Sequence, residues 1–154
     1  MEKLTQIIAY IIEKYPHKHE LSNARVTKMI YLADWRNAII NKKQISNIHW
    51  YFDNYGPFVW DVYNEACSRH DIFSVNNGVN LFGKNKKTFS LKKSVCYDEV
   101  LPEEIKTLDK IIESTASLNW NEFIQLVYST YPIVSSERYS KLNLEEKAIE
   151  FSRK

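Results

Sequence analysis

The feature that most constrains this chain is the run Met29-Ile30-Tyr31-Leu32-Ala33, apolar on nearly every side of a helix. A helix with a single apolar face lies on a surface, whereas one that is apolar all round has to be enclosed. Its start is marked by Ser22 as N-cap, with Leu21 before it and Val26 four positions after it placed as a hydrophobic staple, and it should run to about Ile40. Trp35 extends its apolar surface. Whatever else forms must supply partners for this helix, with Ile30 and Ala33 buried by the first helix and at least one C-terminal helix.

The rest of the chain supplies them. Leu4, Ile7, Ile8, Ile11, Ile12 and Tyr15 recur at the spacing of one helix face, and Pro16 ends that run. Ile48 to Phe52 is short, aromatic and β-branched, and reads as a strand. Asn54-Tyr55-Gly56-Pro57 then turns the chain, and Pro57 suits the first position of a third helix with Val59, Val62, Tyr63 and Ala66 on one face. Between Ile72 and Leu91 the period changes. Ile72–Val75, Val79–Phe82 and Thr88–Leu91 read as strands, with Asn77-Gly78 as a tight hairpin turn. Pro102 opens a fourth helix bearing Ile105, Leu108 and Ile112. Asn119 and Glu122 fit a capping box for a fifth, with Leu118 and Phe123 as staple and Leu126 and Val127 as core. A short last helix spans about Leu144 to Phe151. The expected fold is α+β, mainly α: a central helix surrounded by other helices, with a small antiparallel sheet or hairpin. No repeat or linker divides residues 1–154, so one domain is expected.

Composition excludes several function classes. A net charge of +2 is too weak a field to imply nucleic acid or an anionic membrane. Two cysteines, Cys67 and Cys96, make no disulfide framework, which fits a reducing cytoplasm. Leu4 to Tyr15, interrupted by Gln6 and Glu13, is neither a signal segment nor a membrane span. Glycine-rich phosphate loops, nucleophile elbows and paired-histidine metal motifs are all missing, so no catalytic residue, cofactor or metal is expected. His17 and His19 read as solvated loop residues, Cys67 as a core residue and His70 as exposed.

Three features remain. Asp34 stands within the apolar stretch, and a carboxylate there faces solvent, accepts hydrogen bonds from nearby backbone, or anchors a binding surface, with Lys28 as a possible neighbour. Lys84, Lys86, Lys87, Lys92 and Lys93 lie beside Phe82 and Phe89, either as a phosphate-contacting hairpin or as guards against sheet-to-sheet aggregation, which the low net charge favours. The aromatics Trp50, Tyr51, Phe52, Tyr55, Phe58, Trp60 and Tyr63 exceed what one strand and one helix face can bury. Some rings should face outward as interface anchors, with Trp50, Tyr51, Trp60 and Tyr63 the candidates. Tyr55, Gly56 and Pro57 are expected to set the register between strand and helix, leaving the helix's first N–H groups near Asp34 and Lys28 to attract an acidic group.

Two stretches together resemble the Panacea domain, the SocA-like antitoxin family. Arg25-Val26-Thr27-Lys28-Met29-Ile30-Tyr31-Leu32-Ala33 is similar to the family's K-L-x-K-L-x-Y-x-A helix, and Trp50 to Tyr63 is similar to its aromatic, Y-G-P, then V-Y segment. Val127 to Ile133 resembles the family's C-terminal helix ending in a hydroxyl residue and a proline. The chain departs at Arg25 and Val26, where the family often has Lys and Leu, and no Trp follows Pro132. The resemblance implies a non-enzymatic antitoxin that contacts a co-encoded toxin directly or delivers it to a protease complex, with nucleic acid a lesser partner and no membrane. Together with the residue reading it makes Lys28, Tyr31, Asp34, Trp50, Tyr51, Tyr55, Gly56, Pro57, Trp60 and Tyr63 the candidate partner-binding residues.

Overall fold

A computed structural model describes residues 1–79 and 82–154. The chain begins with α1 (Lys3–Lys14), a 3-10 turn at Lys18–Glu20, and α2 (Asn23–Asn41). Then come β1 (Trp50–Asp53), β2 (Gly56–Pro57) and α3 (Asp61–Ser68), followed by the hairpin β3 (Phe73–Val79) and β4 (Asn85–Leu91). It ends with α4 (Pro102–Ala116), α5 (Trp120–Tyr128), α6 (Tyr131–Val134), β5 (Lys141–Leu142) and α7 (Leu144–Ser152). Two small antiparallel sheets form, one ordered β2-β1-β5 and the other β3-β4, so the fold is α+β and mainly α.

α2 is the central helix. The Ser22 hydroxyl caps it by accepting from the Arg25 N–H at 3.1 Å. Its apolar middle is enclosed by α7, α4, α3, α1 and β4, and Met29, Ile30, Tyr31 and Ala33 lose essentially all solvent contact. Full burial of Met29 and of Ile30 contributes about 2 kcal/mol each. The two N-terminal helices, α4 and α7 all form where the periodicity placed them, and the Asn119–Glu122 capping box closes with reciprocal bonds of 2.9 and 3.0 Å.

The sheets differ from expectation in instructive ways. β1 starts at Trp50, not Ile48, because the polar groups of Ile48 are taken locally: its N–H by Ser46 Oγ and its carbonyl by the Gln44 amide. Pro57 does not open α3. After a two-residue turn at Asn54-Tyr55 the chain folds straight back, and Pro57 sits opposite Phe52 in β2. β2 is an edge strand, where proline's missing donor is tolerated, and the ladder continues with Phe58 N–H donating to the Tyr51 carbonyl at 2.9 Å. Val59 therefore precedes α3, while Val62 and Ala66 form its buried face. Cys67, one position round the helix from Ala66, is exposed rather than core; His70 is exposed as expected.

The expected tight turn at Asn77-Gly78 is instead part of β3, paired with Lys87 and Lys86. Gly78 keeps an extended backbone, and the left-handed glycine of this region is Gly83 at φ +76°. Of the expected Val79–Phe82 strand, Val79 ends β3, and Asn80 and Leu81 lie outside the described residues. The strand β5, two residues long, has no period to read in sequence; it pairs Leu142 with Trp50.

Candidate functional site

The candidate residues gather where one side of α2 meets β1. Lys28, Tyr31 and Asp34 stand three residues apart along the helix. The Tyr31 ring meets Trp50 edge-on at 5.5 Å, and its hydroxyl bonds the Thr130 hydroxyl at 2.8 Å. Asp34 is fully buried and is the hub of the loop that leaves α2. Its carboxylate accepts from the N–H groups of Ile45 (3.0 Å) and Ser46 (2.9 Å), the Ser46 hydroxyl (2.5 Å), the Gln44 amide (3.3 Å) and the Trp50 indole (2.9 Å). Burial pushes its carboxyl above the usual range, and the bonds from Ser46, Trp50 and Ile45 pull against that shift. Backbone acceptance, one of the readings open from sequence, is what Asp34 does. Ser46 and Gln44, which complete the hub, carried no signal beyond lying in a polar break.

Lys28 does not pair with Asp34. It is 2% exposed, with Nζ 5.5 Å from the centre of the Phe58 ring, and among the described residues it has no hydrogen bond or ion pair. Burial lowers its ammonium from the ordinary value to about 8, and the field of Asp53, beyond ion-pairing distance, opposes this. From Phe58 a ladder of rings runs out to the surface and back: Phe58 to Trp60 edge-on at 5.1 Å, Trp60 to Tyr63 edge-on at 5.7 Å, and Tyr63 tilted against the buried Phe89 at 6.4 Å.

The ten candidates thus divide by exposure. Tyr55 and Trp60 are 80% and 59% exposed, Tyr51 and Tyr63 are half-buried, and Lys28, Tyr31, Asp34, Trp50, Gly56 and Pro57 are buried beneath them. Gly56 has φ +96°, so the turn needs glycine for its conformation, while a Cβ there would come into contact with the Tyr128 ring at 3.4 Å. The expected nest of helix N–H groups beside Asp34 and Lys28 does not form. α3 starts four residues later than expected, at Asp61, and Asp34 is occupied by its own loop. Tyr128 and Thr130, which back the turn and Tyr31, lie in the Val127 to Ile133 segment and carry no other signal in the sequence.

The lysines lie on the far hairpin. Lys86 reaches the His19 carbonyl (3.5 Å), Lys87 the Asn77 side chain (2.5 Å), Lys92 the His70 carbonyl (2.7 Å) and Lys93 approaches Asp71 (4.0 Å). Among the described residues no cluster of three or more His, Cys, Asp or Glu could hold a metal, and no helix is long and apolar enough to cross a membrane.

The family model for the antitoxin SocA-like Panacea domain matches residues 26–132. The chain belongs to this family. Comparison with curated proteins and with solved structures finds no match. The Panacea match takes in every ring of the ladder, the whole Asp34 hub, and Tyr128 and Thr130 behind them. Segments outside it, α1, β5 and α7, complete the packing round α2 and the edge of β1.

Proposed function

We propose that this Panacea domain neutralises a co-encoded toxin protein by stoichiometric contact, through the surface formed by the β1–β2 turn and the start of α3. The observation that carries the reading is Trp60. It occupies the N-cap of α3, a position where Ser, Thr, Asp or Asn would accept a capping bond and Trp cannot, and its ring is 59% exposed. The fold has no need of a tryptophan there. Held edge-on between Phe58 and Tyr63, the ring is pre-organised and loses little freedom on meeting a partner. Tyr55 at the neighbouring turn extends the aromatic surface. Antitoxin action of this kind needs no catalytic group, and both proteins would meet in the cytoplasm.

Delivery of the toxin to a protease complex is the variant of this reading that shares the same contact. A nucleic-acid role for the lysine hairpin is the rival. It is supported less well, because Lys86, Lys87 and Lys92 already donate to acceptors of this chain.

The test is co-expression with the neighbouring gene, followed by rescue and co-purification. Trp60→Ala is expected to melt like the parent protein and to weaken the complex by about 2 kcal/mol or more. Paired changes at Lys86 and Lys87 should leave rescue intact. Rescue that survives Trp60→Ala and Tyr55→Ala but fails on lysine loss favours nucleic acid. Toxin that disappears only when a protease is present marks delivery rather than sequestration.

A further inference from the structure

We infer that Lys28 is the receptor for one carboxylate of the partner toxin, an Asp or Glu side chain or the chain's C-terminal group. This deepens the contact reading above and rests on it.

A cation withdrawn from water and given no acceptor is costly, and folds satisfy buried charges or dispense with them. Lys28 is 2% exposed, with Nζ keeping only a narrow contact with solvent, and it has neither hydrogen bond nor ion pair among the described residues. A methionine would fill the same space beside Phe58 without that cost. The charge therefore has no use within the fold. Its cover is thin on one side: Nζ lies 5.5 Å from the Phe58 centroid, and Phe58, itself half-buried, lies 5.1 Å from the exposed Trp60. A partner seated on Trp60 is one ring away from the ammonium, which stands on a flexible four-carbon stem.

The surroundings also select the class of anion. One ammonium is present, with Asp53 of β1 as the charged side chain whose field acts on it and Phe58 as its apolar wall. A singly charged carboxylate completes the balance. A phosphate dianion would bring two negative charges to this one cation beside an existing carboxylate.

The probe is the purified product of the neighbouring gene, titrated calorimetrically against the parent protein, Lys28→Met and Trp60→Ala at pH 8 in buffers of different ionisation enthalpy. Lys28→Met should melt no lower than the parent and bind roughly thirtyfold more weakly. A carboxylate raises the affinity of Lys28 for its proton, so the parent complex should take up protons at this pH and the Lys28→Met complex should not. One Asp→Asn, Glu→Gln or C-terminal amide variant of the probe should reproduce the loss and add nothing to Lys28→Met.

Parent-like affinity for Lys28→Met, with Trp60→Ala impaired, overturns this inference and leaves the contact reading standing. Failure of the parent to bind the probe overturns both. Should Lys28→Met not fold, proton uptake by the parent decides the matter alone, and its absence overturns the inference. Coupling of Lys28 to inorganic phosphate in competition, with no coupling to any probe carboxylate, overturns it as well.

Discussion

Two buried charges stand six residues apart on α2, and their surroundings are opposite. Asp34 receives five donors from the loop and strand that follow it. Lys28 receives nothing but a ring and a distant carboxylate. Both pay the desolvation cost of burial, so the difference lies in what that cost secures. At Asp34 it holds the chain between α2 and β1 in one conformation and locks the Trp50 indole against the helix. At Lys28 no segment of the fold is organised by the charge. A charge with its partners built in is architecture, while one without them is available to something outside.

The strongest way to break the comparison is at Asp34. Asp34→Asn replaces an acceptor with an amide whose NH2 group must face the Ser46 and Ile45 N–H groups or the Trp50 indole, all of them donors. We expect a loss of about 3 kcal/mol or more in unfolding free energy, from urea titration, with faster amide exchange at Ile45 and Ser46. A loss under about 1 kcal/mol would mean that the hub is not what holds the loop, and the contrast with Lys28 would dissolve.

How much of this was legible follows the same division between pattern and partner. The helices were readable because burial imposes a period: Ile7, Ile8, Ile11 and Ile12 announce α1, and the unbroken run at Met29 to Ala33 announces an enclosed helix. The turns were less so, because their residues serve more than one geometry. Pro57 fits a helix start and an edge strand equally, and only its position opposite Phe52 decides between them. Asn77-Gly78 suits a type I′ turn, but pairing with Lys86 and Lys87 carries it through as strand. At the candidate site, sequence picked out residues that the fold brings together, but not their depth. An excess of rings between 50 and 63 is countable, but which rings face out depends on α2 filling one side of β1. Trp50 is consumed there and Trp60 is left over. Lys28 and Asp34 could be picked out as charges in an apolar helix, whereas their separate fates depended on Gln44 to Ser46, which carry no pattern of their own.

The second test sharpens the comparison at Lys28, where the effect should be smaller and of opposite sign. Lys28→Met removes an unsatisfied buried charge, and the variant should gain about 1 to 3 kcal/mol at pH 7. The pH profile identifies the cause. The folded-state value, about 8, lies below the ordinary 10.5 of the unfolded chain, so between those limits the unfolded state binds more protons. Stability of the parent should therefore rise with pH across that window by about 3 kcal/mol, relative to Lys28→Met, until the gap has largely closed. Taking the difference between the two proteins removes the contributions of Tyr10, Tyr15 and Tyr97, whose hydroxyls are all raised by burial and carboxylate neighbours and titrate alike in both. A Lys28→Met protein less stable than the parent at pH 7 would show that the ammonium does structural work after all.

The smallest effect is expected at charges that face solvent, and they calibrate the other two. Lys87 is exposed on the ladder and Lys86 half-exposed, and their bonds to Asn77 and His19 compete with water at little net gain. Lys86→Gln with Lys87→Gln should change unfolding free energy by less than about 0.5 kcal/mol, measured in the same urea titration. The hairpin stands as a two-stranded sheet with β3 bearing no charged residue, so the lysines of β4 are its only ionic protection against strand-on-strand association among the described residues of the two strands. Their loss should appear in light scattering at high protein concentration and not in the melt. A double variant that unfolds more easily but stays monomeric would reverse this assignment: the lysines would then be holding the hairpin to the body of the protein, through the Lys86 contact with His19, instead of keeping other chains away from it.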